Sequence, residues 1–216
     1  MQITIREPGS AITHFIGMMM AVFASVPLLV KSGMSAGYSS FLAMGIFMLS
    51  MILLYGASAT YHTVTVSDRA LRVFRKIDHM MIFVMIAGSY TPVCLLVLGG
   101  KSGLMLLTLV WGIALLGMVI NIVWITCPKW FSSLVYIALG WVCVLVFGQL
   151  RALLSTGAFL WLLAGGIVYT VGGVIYALKL PLFNRRHANF GSHEIFHLFV
   201  LGGSICHFIF MYGYVA

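Results

Sequence analysis

The chain has 216 residues, of which 62% are hydrophobic and only 7% are charged, and its mean hydropathy is +1.11. A water-soluble domain could not cover its surface with so few polar side chains, so this composition excludes that class and indicates an integral membrane protein. The net charge of +8 does not indicate a nucleic-acid partner, because the basic residues are confined to short gaps between apolar runs, where they act as topology signals.

Seven apolar segments along the chain are each long enough to cross a bilayer as a helix. A hydrocarbon core of about 30 Å requires about 20 residues of helix. The segments leave no room for a second domain, so we predict a single all-α membrane domain, a bundle of seven transmembrane helices, over residues 1–216. Its predicted spans are 12–30, 38–61, 79–98, 103–126, 131–150, 158–178 and 193–215.

The distribution of basic residues predicts the orientation of this bundle. Nine of the twelve Lys and Arg residues fall before the first span or in the gaps after the second, fourth and sixth, and three fall on the other side. By the positive-inside rule, the N-terminus is cytoplasmic and the C-terminus lies outside. The nine are Arg6, Arg69, Arg72, Arg75, Lys76, Lys129, Lys179, Arg185 and Arg186, and the three are Lys31, Lys101 and Arg151.

Four ionisable residues fall at the predicted cytoplasmic ends of three helices. His62 ends the second helix, Asp78 opens the third, and His193 and His197 open the seventh in the stretch SHEIFHLF. Residues four apart share a helix face, so His193 and His197 can bind one ion. Ser58 stands one turn before His62 in the same way. Because ionisable residues are costly inside membranes and are functional by default, this convergence at one depth predicts a metal site.

The predicted ligands, His62, His193 and His197, have the composition of a catalytic zinc site. Three neutral imidazoles leave the fourth tetrahedral position open, which distinguishes catalytic from structural zinc. Asp78 would then hold or deprotonate water at the metal, and Ser58 would support the site or orient a substrate. Each residue alone also has an ordinary explanation, such as an interfacial histidine, an acid that complements a helix dipole, or a serine bonded to its own backbone.

The His-Glu-x-x-His spacing that begins at His193 makes an intramembrane zinc protease a second hypothesis. In zinc proteases with this motif, the glutamate is the general base. Glu194 lies about 100° from His193 and about 60° from His197 around a helix, so it can reach the site or face away. Proteolysis is the weaker hypothesis, because the third available ligand is a histidine and Asp78 is the better placed acid.

Three signatures and two longer segments carry a resemblance to a known family. The signatures are Ser58-x-x-x-His62, Asp78 in Lys-Ile-Asp and Ser192-His193-x-x-x-His197, and the segments are AGSYTP at 87–92 and LGGSICHF at 201–208. They resemble the progestin and adipoQ receptor superfamily, and most of all its bacterial branch, the hemolysin III group. The resemblance extends from His14 through Tyr214, which is nearly the whole chain.

This resemblance implies a seven-helix protein of the bacterial cytoplasmic membrane with a zinc ion held by His62, His193 and His197. It also implies that Asp78 holds a water molecule and that Ser58 supports the site. The superfamily is similar to the alkaline ceramidases in its site. We therefore expect a zinc-dependent hydrolase that acts on an acyl bond of a membrane lipid, or a role in membrane-lipid homeostasis.

A pore-forming protein with a structural metal is the non-enzymatic alternative, since the hemolysin III group is named for hemolytic activity. A conducting path needs a continuous polar lining. The middle of most spans consists of Leu, Val, Ile, Met, Phe and Gly. A monomeric pore is therefore disfavoured, whereas an oligomeric pore stays open.

Four histidines are predicted to lie outside the ligand set. His207 lies about 15 Å along the seventh helix from His197, so we expect a buried, hydrogen-bonded residue. His14 opens the first helix at the depth of the ligands, near a substrate entrance. His79 and His187 lie in or beside basic loops, where we expect them to contact water or lipid phosphate.

Overall fold

The computed structural model describes residues 5–35, 37–124, 127–178 and 191–216. Within these ranges the chain forms no strand and has seven helices that are long and apolar enough to cross a membrane, as predicted. In chain order they are α1 (Pro8–Ser35), α2 (Gly37–Thr63), α3 (Asp68–Leu98), α4 (Gly100–Val123), α5 (Trp130–Leu153), α6 (Thr156–Leu178) and α7 (Ser192–Val215).

Three of these helices change their winding along their length. In α3 the α-helical part, Asp68–Pro92, continues as a π-helix over Val93–Leu98. The change follows Pro92, which has no backbone N–H to bond the preceding turn. Helix α5 contains a 3₁₀ segment, Trp141–Val146, and α7 ends in a π-helix, Met211–Val215.

The largest departure from the prediction is the start of α3, at Asp68 instead of residue 79. The Ser67 side chain accepts a hydrogen bond from the Ala70 amide and caps the helix there. With 31 residues, α3 is about 46 Å long, more than the about 30 Å of a hydrocarbon core. Sequence apolarity had indicated that Asp78 opens this helix. In the structure, Asp78 lies inside the helix.

Helices α3 and α1 both begin earlier than predicted, so some residues expected before them lie within them. Arg69, Arg72 and Arg75 belong to the first turns of α3 and not to a loop. Helix α1 begins at Pro8, a residue suited to the first helical position because it lacks an N–H, so His14 lies within the helix instead of opening it. The cytoplasmic N-terminus stays a prediction. Four residues used in the sequence interpretation, Lys179, Arg185, Arg186 and His187, lie outside the described residues.

The helices form a closed bundle in which chain neighbours are mostly spatial neighbours. Helix α2 packs against α1 and α3, α3 against α4, and α6 against α5 and α7, while contact between α1 and α7 closes the bundle. Its core includes Phe47, Tyr55 and Phe210. Large apolar side chains also face outward, including Phe23 and Leu145 at 69% and 72% exposure, as a lipid-facing surface requires.

Glycine brings α6 and α7 close together. A Cβ atom at Gly165 would lie 2.1 Å from Cδ2 of His207, and one at Gly203 would lie 2.7 Å from the Tyr169 ring. Neither position has room for a larger side chain. The two helices therefore pack through small residues, the usual means of close helix association in membranes.

Candidate metal centre

Three histidines from two helices meet at one end of the bundle. His62 lies at the end of α2, and His193 and His197 lie one turn apart at the start of α7. One ring nitrogen from each can be chosen so that all three atoms lie within 4.8 Å of one another. Nε2 of His62 and Nε2 of His193 are 3.3 Å apart. Two nitrogens that bind one zinc tetrahedrally at about 2.05 Å would be separated by about 3.4 Å, so this group can hold a metal ion.

Glu7, which the sequence interpretation missed, orients His62. Its Oε2 contacts Nδ1 of His62, which directs Nε2 toward the other two histidines. A carboxylate on the second ring nitrogen fixes the tautomer of a ligand histidine and increases its basicity. The hydrogen bond with His62 lowers the pKa of Glu7 below its ordinary value, and the charge of Arg6 adds to this effect.

Backbone hydrogen bonds place Glu7 at this position. The last carbonyls of a helix have no partner within it, and the segment before α1 satisfies three of them at the end of α2. The Glu7 amide donates to the His62 carbonyl at 3.0 Å, and the Arg6 amide donates to that of Thr63 at 3.5 Å. The Arg6 guanidinium donates to the Tyr61 carbonyl at 2.8 Å and stacks over the Tyr61 ring.

Glu7→Ala is expected to weaken zinc binding roughly ten- to hundredfold, because it removes the group that orients His62. Glu7→Gln should recover part of this loss, since the amide oxygen can still accept a hydrogen bond from Nδ1–H. Competition with a chromophoric zinc chelator in detergent measures the affinity. Asp68→Asn, an exposed acid at the start of α3, is the matched control. Equal affinities for Glu7→Ala and Asp68→Asn would contradict this role.

Thr13 orients His197. Its hydroxyl donates to the backbone carbonyl of Gly9 or Ser10, each at 3.0 Å, and its Oγ1 lies 3.2 Å from Nδ1 of His197. Since the hydroxyl proton is used, its lone pair can accept from Nδ1–H. Nε2 of His197 is then left as the ligand atom.

His14 packs behind His197. The two rings stack with centroids 3.5 Å apart and 10° between their planes, and His14 also meets the edge of Tyr55. His14 is 3% exposed, and neither of its ring nitrogens has a hydrogen bond in the described part of the chain. His14 therefore packs beside the ligand group and lines the same cavity. Its predicted position near a substrate entrance stays a prediction.

Asp78 and Ser58 face the same cavity as the three histidines. Ser58 is 2% exposed, and its side chain lies close enough to the Asp78 carboxylate to act on it electrostatically. Oδ2 of Asp78 also lies 3.6 Å from Nδ1 of the adjacent His79. The structure thus brings together all five residues that the sequence singled out. His79 lies well inside α3 and lines the cavity, so the prediction that it lies in or beside a basic loop is wrong, because the helix begins at Asp68.

Glu194 caps α7 and ties it to α1. Oε1 accepts a hydrogen bond from the Ser10 hydroxyl at 2.5 Å, and Oε2 accepts one from the Gly191 amide at 2.7 Å. This is the glutamate half of a capping box. Both carboxylate oxygens are engaged in holding the helix end, an arrangement that does not suit the general base of a His-Glu-x-x-His protease.

A cavity of about 590 Å³ extends from the histidines into the bundle, a size typical of small-molecule sites. Ionisable, polar and apolar side chains all line it, and the apolar surface predominates. The apolar part includes Leu54, Ile82, Met85, Ile86, Ile137, Phe196 and Val200. Trp141 and His207 line this cavity and also a smaller one of about 50 Å³.

His207 lies away from the ligand group, as predicted, but it is not hydrogen-bonded as expected. Both ring nitrogens are buried, and neither has a hydrogen-bond partner among the residues that the structure describes. The Leu162 backbone lies beside the ring, outside normal hydrogen-bond geometry. Gly165 explains this position, since its missing side chain lets the ring pack edge-on against α6.

Comparison with known proteins agrees with this architecture. A family model described as Haemolysin-III related matches residues 2–208. The chain belongs to this family. Among haemolysin-III related proteins, it is 37% identical over 206 residues to the hemolysin-3 homolog of Bacillus subtilis (strain 168), covering 95% of the chain and 92% of that relative. It is 34% identical over 214 residues to hemolysin-3 of Bacillus cereus, covering 99% and 94%.

A more distant relative confirms the wider resemblance to the adipoQ receptors. The adiponectin receptor protein of Drosophila melanogaster is 21% identical over 237 residues, which cover 94% of this chain and 49% of that protein. Haemolysin-III related sequence and seven apolar helices together indicate a multi-pass membrane protein, consistent with the bacterial cytoplasmic membrane.

Proposed function

We propose that this haemolysin-III related protein is a zinc-dependent hydrolase that cleaves an amide or ester bond of a membrane lipid. One observation carries the proposal: the ligand group of His62, His193 and His197 adjoins Asp78 in a cavity whose lining is mostly apolar. Such a cavity offers a metal centre to a carbonyl group and an apolar space to the attached acyl chain. A membrane lipid is therefore the expected substrate.

Zinc bound by the three histidines would polarise the acyl carbonyl and lower the pKa of a water molecule. Asp78 accepts a proton from the attacking water as its oxygen bonds to the acyl carbon. Asp78 then gives the proton to the leaving nitrogen or oxygen as the old bond breaks. The products are a fatty acid and an amine or alcohol. Ser58 holds the Asp78 carboxylate in position for both transfers.

The apolar part of the cavity supports an acyl substrate over a polar one. Side chains such as Leu54, Met85 and Val200 offer an acyl chain contacts similar to those of lipid. Binding at this depth leaves the carbonyl end of the lipid beside the ionisable residues. The reacting bond would therefore meet Asp78 while the chain stays in an apolar environment.

Pore formation is the second candidate, favoured by the name of the Bacillus cereus relative, hemolysin-3. The apolar wall of the cavity opposes it for a single chain, because ions need a continuous polar lining.

Purified protein in liposomes distinguishes these functions. With ceramide-like amides and phospholipid esters supplied, we expect fatty acid release, detected by mass spectrometry, that stops when a chelator removes the metal and resumes when zinc is added. Ion flux through the same liposomes without any fatty acid release would favour the pore instead. Absence of both activities would remove the support for hydrolysis of these lipid classes.

A further inference from the structure

Arg75 places a positive charge in the wall of the cavity, close to the candidate metal centre. Arg75, Asp78 and Ile82 recur at three- and four-residue spacing, so they share the face of α3 that lines the cavity. Arg75 is only partly exposed. Its guanidinium forms no hydrogen bond or ion pair with any residue in the described ranges.

The other basic residues at this end of α3 lie elsewhere. Arg69 and Arg72 are exposed and do not line the cavity. Nζ of Lys76 donates to the Ile122 carbonyl at the end of α4, at 2.8 Å. Of the four basic residues on these turns, Arg75 is thus the one that faces the cavity.

The three carboxylates that line the cavity make their close contacts with residues other than Arg75. Arg75 is near enough to act on Asp78 through its charge, but the two side chains do not form an ion pair. A partly buried guanidinium without a counter-ion has five donors available for an anionic ligand. The contacts of the carboxylates are Glu7 with His62 and Arg6, Glu194 with Ser10 and Gly191, and Asp78 with Ser58 and His79.

We propose that Arg75 binds the phosphate or carboxylate of an acidic lipid whose chain occupies the cavity. This inference rests on the proposed function and names its substrate class. Arg75 precedes Asp78 by three residues, or about 4.5 Å along the helix axis. The anionic group of the lipid therefore lies only a few bonds from the acyl carbonyl that Asp78 serves. Guanidinium pairs of this kind are frequently bidentate, which also fixes the orientation of the lipid.

A positioning role toward Asp78 is the competing explanation for Arg75. A residue that only supports Asp78 affects acidic and neutral lipids equally. A headgroup-binding residue affects the acidic lipid alone. The comparison of two lipids that differ only in the anionic group therefore separates the two roles.

The test measures binding of two alkyl ether lipids to the wild-type protein in detergent by native mass spectrometry. One is an alkyl ether of glycerol phosphate and the other is the same alkyl ether of glycerol. Neither has an acyl bond, so binding is independent of turnover. We expect wild type to bind the phosphate lipid roughly ten- to hundredfold more tightly, the range of charge-assisted hydrogen bonds.

Arg75→Gln should abolish this preference and leave binding of the neutral ether unchanged, which also shows that the variant is folded. Arg75→Lys should keep part of the preference, and Arg72→Gln, the matched control on the exposed face, should keep all of it. If Arg75→Gln still bound the phosphate ether more tightly than the neutral ether, the proposal would be overturned. An equal loss of affinity for both ethers would also overturn it. Competition by inorganic phosphate alone at equal concentration would assign the site to a soluble anion and overturn the lipid assignment.

These results are separable from the proposed function. Hydrolysis of neutral and acidic lipids at equal rates, together with equal binding of the two ethers, would overturn the role of Arg75 and leave hydrolysis intact. A preference for the phosphate ether in a protein that cleaves no lipid would support the Arg75 site and overturn the hydrolase.

Discussion

His197→Ala is expected to abolish stoichiometric zinc binding. The substitution removes one of three nitrogens that come together from α2 and α7, and leaves only His62 and His193. Loss of a residue that merely orients a ligand costs roughly ten- to hundredfold in affinity, so loss of the ligand itself should cost more than about hundredfold. Elemental analysis of protein purified after zinc loading measures the effect directly.

Two further variants test whether the loss of zinc in His197→Ala comes from the lost ligand nitrogen and not from disturbed packing. His197→Gln keeps most of the side-chain volume beside His14, so an equal loss of zinc would separate ligation from packing. His207→Gln removes another buried histidine of α7, away from the group, and should retain the metal. Equal zinc content in wild type and His197→Ala would contradict the assignment, as would a wild-type protein that takes up no zinc.

The number of helices and their order were predictable because a membrane span must be long and apolar. Helix ends were less predictable, since apolarity marks the part within lipid, whereas hydrogen bonds of the backbone and caps decide where a helix begins. Ser67 caps α3 twelve residues before the predicted span starts. The sequence signal for this cap, a serine followed by an acid, was present at Ser67 and Asp68.

The ligand group was predictable in part. The spacing of His193 and His197 follows from helix geometry, but their meeting with His62 depends on the packing of distant helices. Glu7 could not be found by spacing, because backbone hydrogen bonds of the segment before α1 bring it to His62. One signal was available: Glu7 is one of only four acids in the chain.

Helix α1 contributes none of the three ligand nitrogens, yet it and the segment before it support the whole group. Glu7 contacts His62, Thr13 lies against Nδ1 of His197, and Ser10 holds Glu194 at the start of α7. These three contacts join α2 and α7 through α1 and the segment before it. The geometry of the candidate metal centre therefore depends on how α1 docks, which links the N-terminal region to metal affinity.

Asp78→Asn is expected to lower fatty acid release by about 10²–10⁴-fold, the usual contribution of a general acid or base. Asparagine keeps the size of the side chain and an oxygen for the Ser58 hydroxyl, but it cannot accept the proton of the attacking water. Asp78 is outside the ligand group of His62, His193 and His197, so zinc content should be unchanged. Mass spectrometry of the released acid and elemental analysis of the same sample provide both measurements.

Glu194→Gln is the matched control, since it neutralises the acid of the His-Glu-x-x-His motif, which also lies near the histidines. Glutamine is accepted in a capping box, so the contacts with Ser10 and Gly191 can largely persist. We expect fatty acid release within a few-fold of wild type. The opposite pattern, with activity lost in Glu194→Gln and kept in Asp78→Asn, would identify Glu194 as the base and return the site to the chemistry of a His-Glu-x-x-His protease. Comparing Asp78→Asn with Glu194→Gln therefore distinguishes the two reactions. Lipid hydrolysis as proposed requires Asp78 to accept the proton of the attacking water, whereas the protease mechanism requires Glu194 to do so.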